Sequence, residues 1–326
     1  MASDDSWTYA LDVSIAHVRA FTSALSSLRL ARRQRAKVRA DASGLAIATS
    51  DDSKTCHASA NFRSETFRSY ALDETAARMA SGGGARGRGA SFEIDLAALI
   101  DVLGAFQGKD GDAEARVRWP SRSGALTIEL ECARGTGERE LRQGVCAEIM
   151  PEVSAEGSAE TEMSFRDEAN AFMMPTGTLK EIVDDLEWPS GDVDIEIDEN
   201  SLKFSAHGAE IGDLTVDVDV SEGRLTEFTC REPSVSRYKY RFLKSATSVG
   251  ANFLGSGVAG GGDDTVTMTR VSVSSVGFLK VVHLLHLSRN RMSFTSGGIN
   301  ESMVPVTFIV NPVEDIDDDA DGEDEE

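Results

Sequence analysis

The stretch from Met174 to Gly208 reads as one helix followed by a two-stranded hairpin, a unit too small to fold alone. Thr176 stands where an N-cap belongs, and Leu179, Ile182, Val183 and Leu186 then recur at the spacing of a single helical face. Trp188 and Pro189 end the helix, since a proline turns the residue before it away from helical dihedrals. Val193, Ile195 and Ile197 then alternate with Asp192, Asp194, Glu196 and Asp198, the period of a strand with one dry and one wet face. The polar turn Glu199-Asn200-Ser201 leads into Leu202, Phe204 and Ala206. One helix and one hairpin bury too little apolar surface to offset the entropy of ordering them, so the unit calls for a companion.

A companion stands near the N-terminus. Ser14 to Leu28 reads as a helix with Ile15, Val18, Leu25 and Leu28 to one side, and Gln34 to Asp52 follows as strand, polar turn, strand. KVRADASGLAIATS and DIEIDENSLKFSAH align in register, roughly 160 residues apart, and imply a duplicated domain. The expected organisation is domain one over 1–149, a Pro, Ser, Glu and Gly-rich linker over 150–162, domain two over 163–313 and an acidic tail over 314–326.

The plan in domain one is an opening strand Trp7 to Val13, the first helix, the hairpin, and strands Cys56 to Phe62, Phe67 to Leu72 and Phe92 to Ile94. A helix Leu96 to Phe106 follows, then strands Ala113 to Trp119, Ala125 to Glu131 and Glu138 to Ile149. Domain two repeats it, with strands Ile211 to Val220 and Tyr238 to Phe242, a helix Leu243 to Leu254, and strands Thr265 to Val273, Gly277 to Leu287 and Met303 to Asn311. Ser81 to Ala90, Gly255 to Gly262 and Ser288 to Ser302 read as loops. The fold class is therefore α+β, with antiparallel sheets.

No apolar run approaches the roughly 20 residues that cross a bilayer, and the first ten residues lack a signal-peptide pattern. The widely spaced Cys56, Cys132, Cys146 and Cys230 read as reduced thiols. The net charge of −22 is unevenly spread: Glu314 to Glu326 hold ten acids and no base, leaving the rest at −12. Charges interact over a screening length of about 8 Å, so a polyanion responds to the face it meets and not to a distant tail. One basic run, Arg29 to Arg39, carries six bases. Arg35, Lys37 and Arg39 in it share the outward face of a strand, either solvated or in contact with a partner or DNA.

Catalytic patterns are missing. Ser81 to Ala90 contains a literal GxGxxG, but a strand follows it where a dinucleotide site needs a helix. His283 and His286 lie three apart in a strand and face opposite ways, which makes a poor metal pair. Asp192, Asp194, Glu196 and Asp198 stand about 7 Å apart along one face, too dispersed for two metals, and read as a solvated row. No catalytic residue, metal ligand or cofactor is assigned.

The segment MPTGTLKEIVDDL with DVDIEIDENSLKFSAHGAEIGDLTVDV resembles the start of the second domain of eukaryotic sliding clamps, the PCNA family. TCHASANF, SFEIDLAALIDVLGAF, SRYKYRFLKSA and RVSVSSVGFL are most similar to the Rad-one subunits of the nine-one-one checkpoint clamp. The resemblance implies two tandem pseudo-repeated domains in an arc, with helices on the concave face, sheets outside, and three arcs closing a ring around double-stranded DNA. It implies a nuclear, non-enzymatic platform for DNA-damage checkpoint signalling and repair. The partners would be two other clamp subunits, DNA without sequence specificity, a separate ATP-dependent loader, and repair and signalling proteins. A replicative homotrimeric processivity clamp is the second reading. A 3′-5′ exonuclease, an activity at times attributed to this family, is a remote third.

Carried over by position, Arg19, Lys180, Arg241 and Lys244 face the DNA, with ordinary solvated helix residues as the plainer alternative for Arg19 and Lys180. Asp101, Gly104 and Asp184 stand where the replicative member carries bases, which favours a heterotrimer whose other members supply positive charge. Ile149, Met150, Pro151 and Val153, with Pro312, line the family's peptide groove or pack on their own sheet, and Ser50 replaces a large apolar residue there. Arg116, Val117 and Arg118, or the strand Ile211 to Val220, offer edges for pairing between subunits.

Overall fold

The computed structural model describes residues 9–81, 89–106, 113–134, 141–152, 165–187, 191–208, 212–221, 223–249, 267–286 and 303–313. Val153, the Trp188 and Pro189 helix stop and the three expected glycine-rich or polar loops lie largely or wholly outside them.

Strand β1 (Leu11–Ile15) runs two residues past the expected Val13, because Ser14 and Ile15 still pair with the neighbouring strand. Helix α1 (Val18–Ser27) accordingly starts at Val18, not Ser14. The hairpin β2 (Arg35–Asp41) and β3 (Gly44–Ser50) forms as read, with Ala36, Val38 and Ala40 buried and Arg35 and Arg39 exposed. Gly44 makes its turn possible: its φ is +143°, and a Cβ there would stand 2.0 Å from the Phe62 carbonyl oxygen. Strands β4 (Cys56–Arg63) and β5 (Ser69–Leu72) follow.

A short helix, α2 (Glu74–Ala80), was not anticipated; Asp73 caps it by accepting from the Thr75 and Ala76 amides. Next come β6 (Ala90–Asp95), α3 (Leu96–Leu103) capped by Asp95, and β7 (Ala113–Trp119), β8 (Leu126–Arg134) and β9 (Leu141–Ile149).

The second half holds β10 (Glu168–Pro175), α4 (Thr176–Asp185), β11 (Asp192–Asp198), β12 (Ser201–Ala206) and β13 (Leu214–Asp219). A short strand β14 (Glu227–Cys230), also unanticipated, precedes β15 (Ser234–Lys239), α5 (Tyr240–Thr247), β16 (Met268–Ser274), β17 (Leu279–His286) and β18 (Met303–Val310). Tyr240 to Phe242, expected to end a strand, form the first turn of α5. Only Tyr238 and Lys239 of that stretch lie in a strand, and they pair with Val193 and Asp192.

The sheets are antiparallel and run β5-β1-β7-β8-β9, β14-β10-β16-β17-β18-β4-β3-β2-β6 and β13-β12-β11-β15. Every pairing within 11–149 has a counterpart within 168–310: β1 with β5 and β7 matches β10 with β14 and β16. Likewise β2 with β3 and β6 matches β11 with β12 and β15. Among the described strands one pairing has no counterpart, β18 against β4, and it joins the halves into the nine-stranded sheet with Val306, Phe308 and Val310 opposite Ala60, Ala58 and Cys56.

The core is aromatic as well as aliphatic in each half of the chain. Phe92 stacks on Trp119 at 4.6 Å and Phe21 meets Phe62 at 4.5 Å, while Phe172 meets Phe204 edge-on at 6.2 Å. Cys56 and Cys132 are buried; burial, helped by nearby Asp51, pushes the Cys56 thiol up to about 12, so it packs as a small hydrophobe. Cys146 is exposed and Cys230 partly so.

Candidate nucleic-acid interface and sheet edges

Four helices pack in two pairs, α1 with α3 and α4 with α5. Their apolar stripes decide which sides are left for other work. Helix α1 buries Val18, Phe21, Thr22, Ala24 and Leu25; α4 buries Thr176, Leu179, Ile182 and Val183; α5 buries Phe242, Leu243, Ala246 and Thr247. What remains outside includes Arg19 on α1, Asp101 on α3, Glu181 and Asp185 on α4, and Arg241 on α5. Counting every charged residue, the four helices carry as many acids as bases.

The four sequence-selected cations divide between these pairs. Arg19 is exposed on α1. Lys180 pairs with Asp184 one turn along α4, and Lys244 reaches across to Glu187 at 2.7 Å, whose hydrogen bond holds the ammonium above its ordinary pKa. The exposed Arg241 guanidinium lies 4.4 Å from the centre of the Phe242 ring.

Thr176 is not a cap. Its hydroxyl is buried 2.8 Å from that of Thr269, which lies 2.9 Å from Nδ1 of His283, whose Nε2 lies 2.6 Å from the Ala246 carbonyl oxygen. A carbonyl only accepts, so Nε2 carries the proton and donates to it, Thr269 donates to Nδ1, and Thr176 donates to Thr269. This buried chain ties α4 and α5 to β16 and β17. Burial pushes the His283 pKa down to about 4, against the opposing pull of the Ala246 carbonyl. His283 is a core residue, 2% exposed.

The acidic row on β11 is occupied by its neighbours. Asp194 accepts from Arg237 Nε at 2.8 Å and Nη2 at 3.2 Å, with His207 at 3.1 Å, and Glu196 pairs with Lys203 at 3.4 Å. Burial alone would raise the Asp194 pKa; Arg237 and His207 outweigh it and hold the group below its ordinary value. Among the described residues no group of three or more His, Cys, Asp or Glu is placed to hold a metal.

Of the groove residues, Ile149 is buried at the end of β9 and Met150 is 63% exposed. Glu152 bridges Glu93 on β6 and pairs with Arg35, so Met150 and Pro151 lead onto the far edge of the nine-stranded sheet. Pro312 lies beyond β18, in contact range of a Cβ built at Gly277. The Ser50 hydroxyl is 3.1 Å from His57 Nδ1.

Of the two candidate edges, one is overturned. Arg116, Val117 and Arg118 lie in β7, which is paired on both sides by β1 and β8; Arg116 grips Asp12 and Arg118 grips Glu129 across those neighbours. Among the described residues strand β13 does end its sheet, and β9 ends the five-stranded one.

Sheet-rich architecture, five helices among the described residues and repeated pairings are compatible with a PCNA-like clamp fold. The chain belongs to the checkpoint-clamp family described as repair protein Rad1/Rec1/Rad17, whose model matches residues 10–251. That family ties it to DNA-damage checkpoint and repair and to association with clamp subunits and DNA. A search of curated proteins finds no match. Among the described residues no helix is long and apolar enough to cross a membrane.

Proposed function

We propose that this chain is one arc of a heterotrimeric ring around double-stranded DNA, a nuclear, non-enzymatic platform for checkpoint signalling and repair. In this reading residues 1–149 and 163–313 are tandem copies of one clamp domain joined by the linker 150–162. Their helices face the DNA, and repair and signalling proteins dock outside.

The observation that carries the proposal is the unmatched strand pairing. Strand β4 of the first half pairs with β18 of the second. By the correspondence of the halves, β13 is the counterpart of β4 and β9 of β18, and among the described residues β13 and β9 both end their sheets. A chain that bonds its halves through one such seam and presents the same two edges at its ends is suited to head-to-tail association, which closes into a ring when the rotation is right.

Charge supports a mixed ring over three copies of this chain. Helices α1, α3, α4 and α5 bring no net positive charge, so a homotrimer would line its hole with neutral helices, where phosphate attraction is what holds a sequence-blind binder. Two other subunits then supply the field, and a separate ATP-driven loader opens the ring. Co-expression with candidate clamp subunits followed by mass measurement should give one copy of each; a stable trimer of this chain alone would reject the mixed ring.

A further inference from the structure

The loop between α1 and β2 holds a feature that ring closure does not use. Arg29, Ala31, Arg32 and Arg33, with Asp52 from the turn between β3 and β4, line an open cleft of about 590 Å³. Arg29 braces the loop from inside, donating to the Ala31 carbonyl at 3.3 Å and the Arg32 carbonyl at 2.9 Å. Arg32 and Arg33 are exposed, and among the described residues no carboxylate forms an ion pair with any of the three. Three guanidiniums against the one carboxylate of Asp52 leave the cleft with a net positive charge.

The end of the last strand meets the turn that brings Asp52 to the cleft, before Val313 donates its amide to the Arg237 carbonyl at 2.7 Å. Asn311 donates its amide to the Thr55 carbonyl at 2.8 Å, and Thr55 belongs to the same turn as Asp52. That turn is held shut by Asp51, which accepts from the Cys56 amide at 2.7 Å. Three residues past Asn311 the acidic run begins, ten carboxylates in thirteen residues. At about 3.4 Å per residue that run spans far more than the width of the cleft.

We propose that the Arg29, Arg32 and Arg33 cleft is an acidic-peptide site whose occupant is the chain's own run Glu314 to Glu326. Proximity selects it over free nucleic acid: the run belongs to the same chain and begins three residues past Asn311, whereas a polyanion in solution binds only from its bulk concentration. A short tether gives an effective concentration of about 1 mM, so a site with a Kd of about 0.1 mM is roughly nine-tenths filled by its own run. The occupied cleft is closed to other anions until salt or a competing partner displaces the run.

The test uses the full chain and a variant with all ten acids of the run changed to Asn or Gln. A fluorescent peptide of sequence 314–326 is titrated into each at low salt. The neutralised-run variant should bind the peptide about tenfold more tightly than the native chain. Adding R29Q, R32Q and R33Q should abolish binding, and K37Q with R39Q on the neighbouring strand should leave it unchanged. Because Arg29 also braces its loop, R32Q with R33Q alone is the second variant and should weaken binding by at least fivefold. Asp52→Asn should strengthen it. Equal peptide binding by native and neutralised-run chains, binding that ignores Arg32 and Arg33, or a cleft that takes a short DNA duplex but not the peptide would each overturn the proposal.

Discussion

Acid should loosen the attachment of α4 and α5 through His283. Its pKa falls from an ordinary 6.5 to about 4 because burial disfavours the imidazolium. Above pH 6.5 the ring is neutral whether the chain is folded or not, and the group contributes nothing to the pH dependence. Between pH 6.5 and about 4 the unfolded chain takes up a proton that the folded chain refuses, so stability falls with pH by about 1.4 kcal/mol per unit. Over the whole window the loss is about 3 kcal/mol, a large part of the margin of an ordinary domain. Below pH 4 the folded ring protonates too and the loss stops growing. Urea unfolding of the native chain and of His283→Gln between pH 7 and 4 measures it. Glutamine can still offer an N–H to the Ala246 carbonyl and an oxygen to Thr269, yet cannot titrate. The variant is expected to start less stable and to show a shallower decline. Parallel declines in the two proteins would refute the argument, since the carboxylates are common to both.

A second acid effect falls in a lower window. Arg270 hydrogen-bonds Glu168 and holds it at about 2, so that contribution is present above pH 4.5 and disappears as pH drops towards 2. With the two side chains 32% and 35% exposed, Arg270→Gln should cost on the order of 1 kcal/mol at neutral pH after screening, and should flatten the acid limb of a stability profile. In the assembled ring, Arg19→Gln with Arg241→Gln should lower the slope of log affinity against log salt by about 1.8 if both meet phosphates, and an unchanged slope would remove them from the interface. On β13, alternate residues turn their amides away from β12. Proline at Thr215 and at Val216 should therefore act oppositely: one position abolishes assembly and spares stability, the other destabilises the chain itself. Size measurement and thermal melting distinguish them, and a ring that tolerates both prolines would exclude this edge.

The helices and strands that alternate or repeat in the sequence were legible because burial follows the same period. Val193, Ile195 and Ile197 are buried, as their spacing says, and so are Leu179, Ile182 and Val183. What escaped reading lacks a period of its own. Helix α2 is built on ETAARMA, where only Ala77 is buried, and its one local signal was Asp73 followed by Glu74 at a cap. Strand β14 is four residues long and exists because β10 offers it a partner, Phe228 opposite Phe172. Thr176 looked like a cap because threonine at a helix start usually is one; a buried Thr269 and His283, about a hundred residues downstream, claim its hydroxyl instead. Arg116 and Arg118 looked exposed enough for an edge, but alternating arginines also occur inside a sheet whose outer face is wet, where they pair with Asp12 and Glu129. For the cleft, the run of six bases was visible, but its division was not: the loop gathers Arg29, Arg32 and Arg33, while Arg35, Lys37 and Arg39 line a strand.

Open strand edges are a hazard for any protein that spends time unassembled, because an unpaired row of amides and carbonyls will accept another strand. The two proposed ring edges meet that hazard differently. Strand β13 exposes Thr215, Asp217 and Asp219, whereas β9 exposes Gly144, Cys146 and Glu148. Two copies of β13 placed antiparallel would bring their aspartates near one another, and like charges across a strand pair are destabilising, so this edge resists its own kind. A partner strand bearing Lys or Arg at those positions would meet no such penalty. The acids on β13 thus disfavour pairing of that edge with a second copy of itself while leaving it open to a different strand. A head-to-tail ring pairs β13 with the β9-type edge of its neighbour, so this repulsion acts against stray self-pairing of the lone chain and not against ring closure.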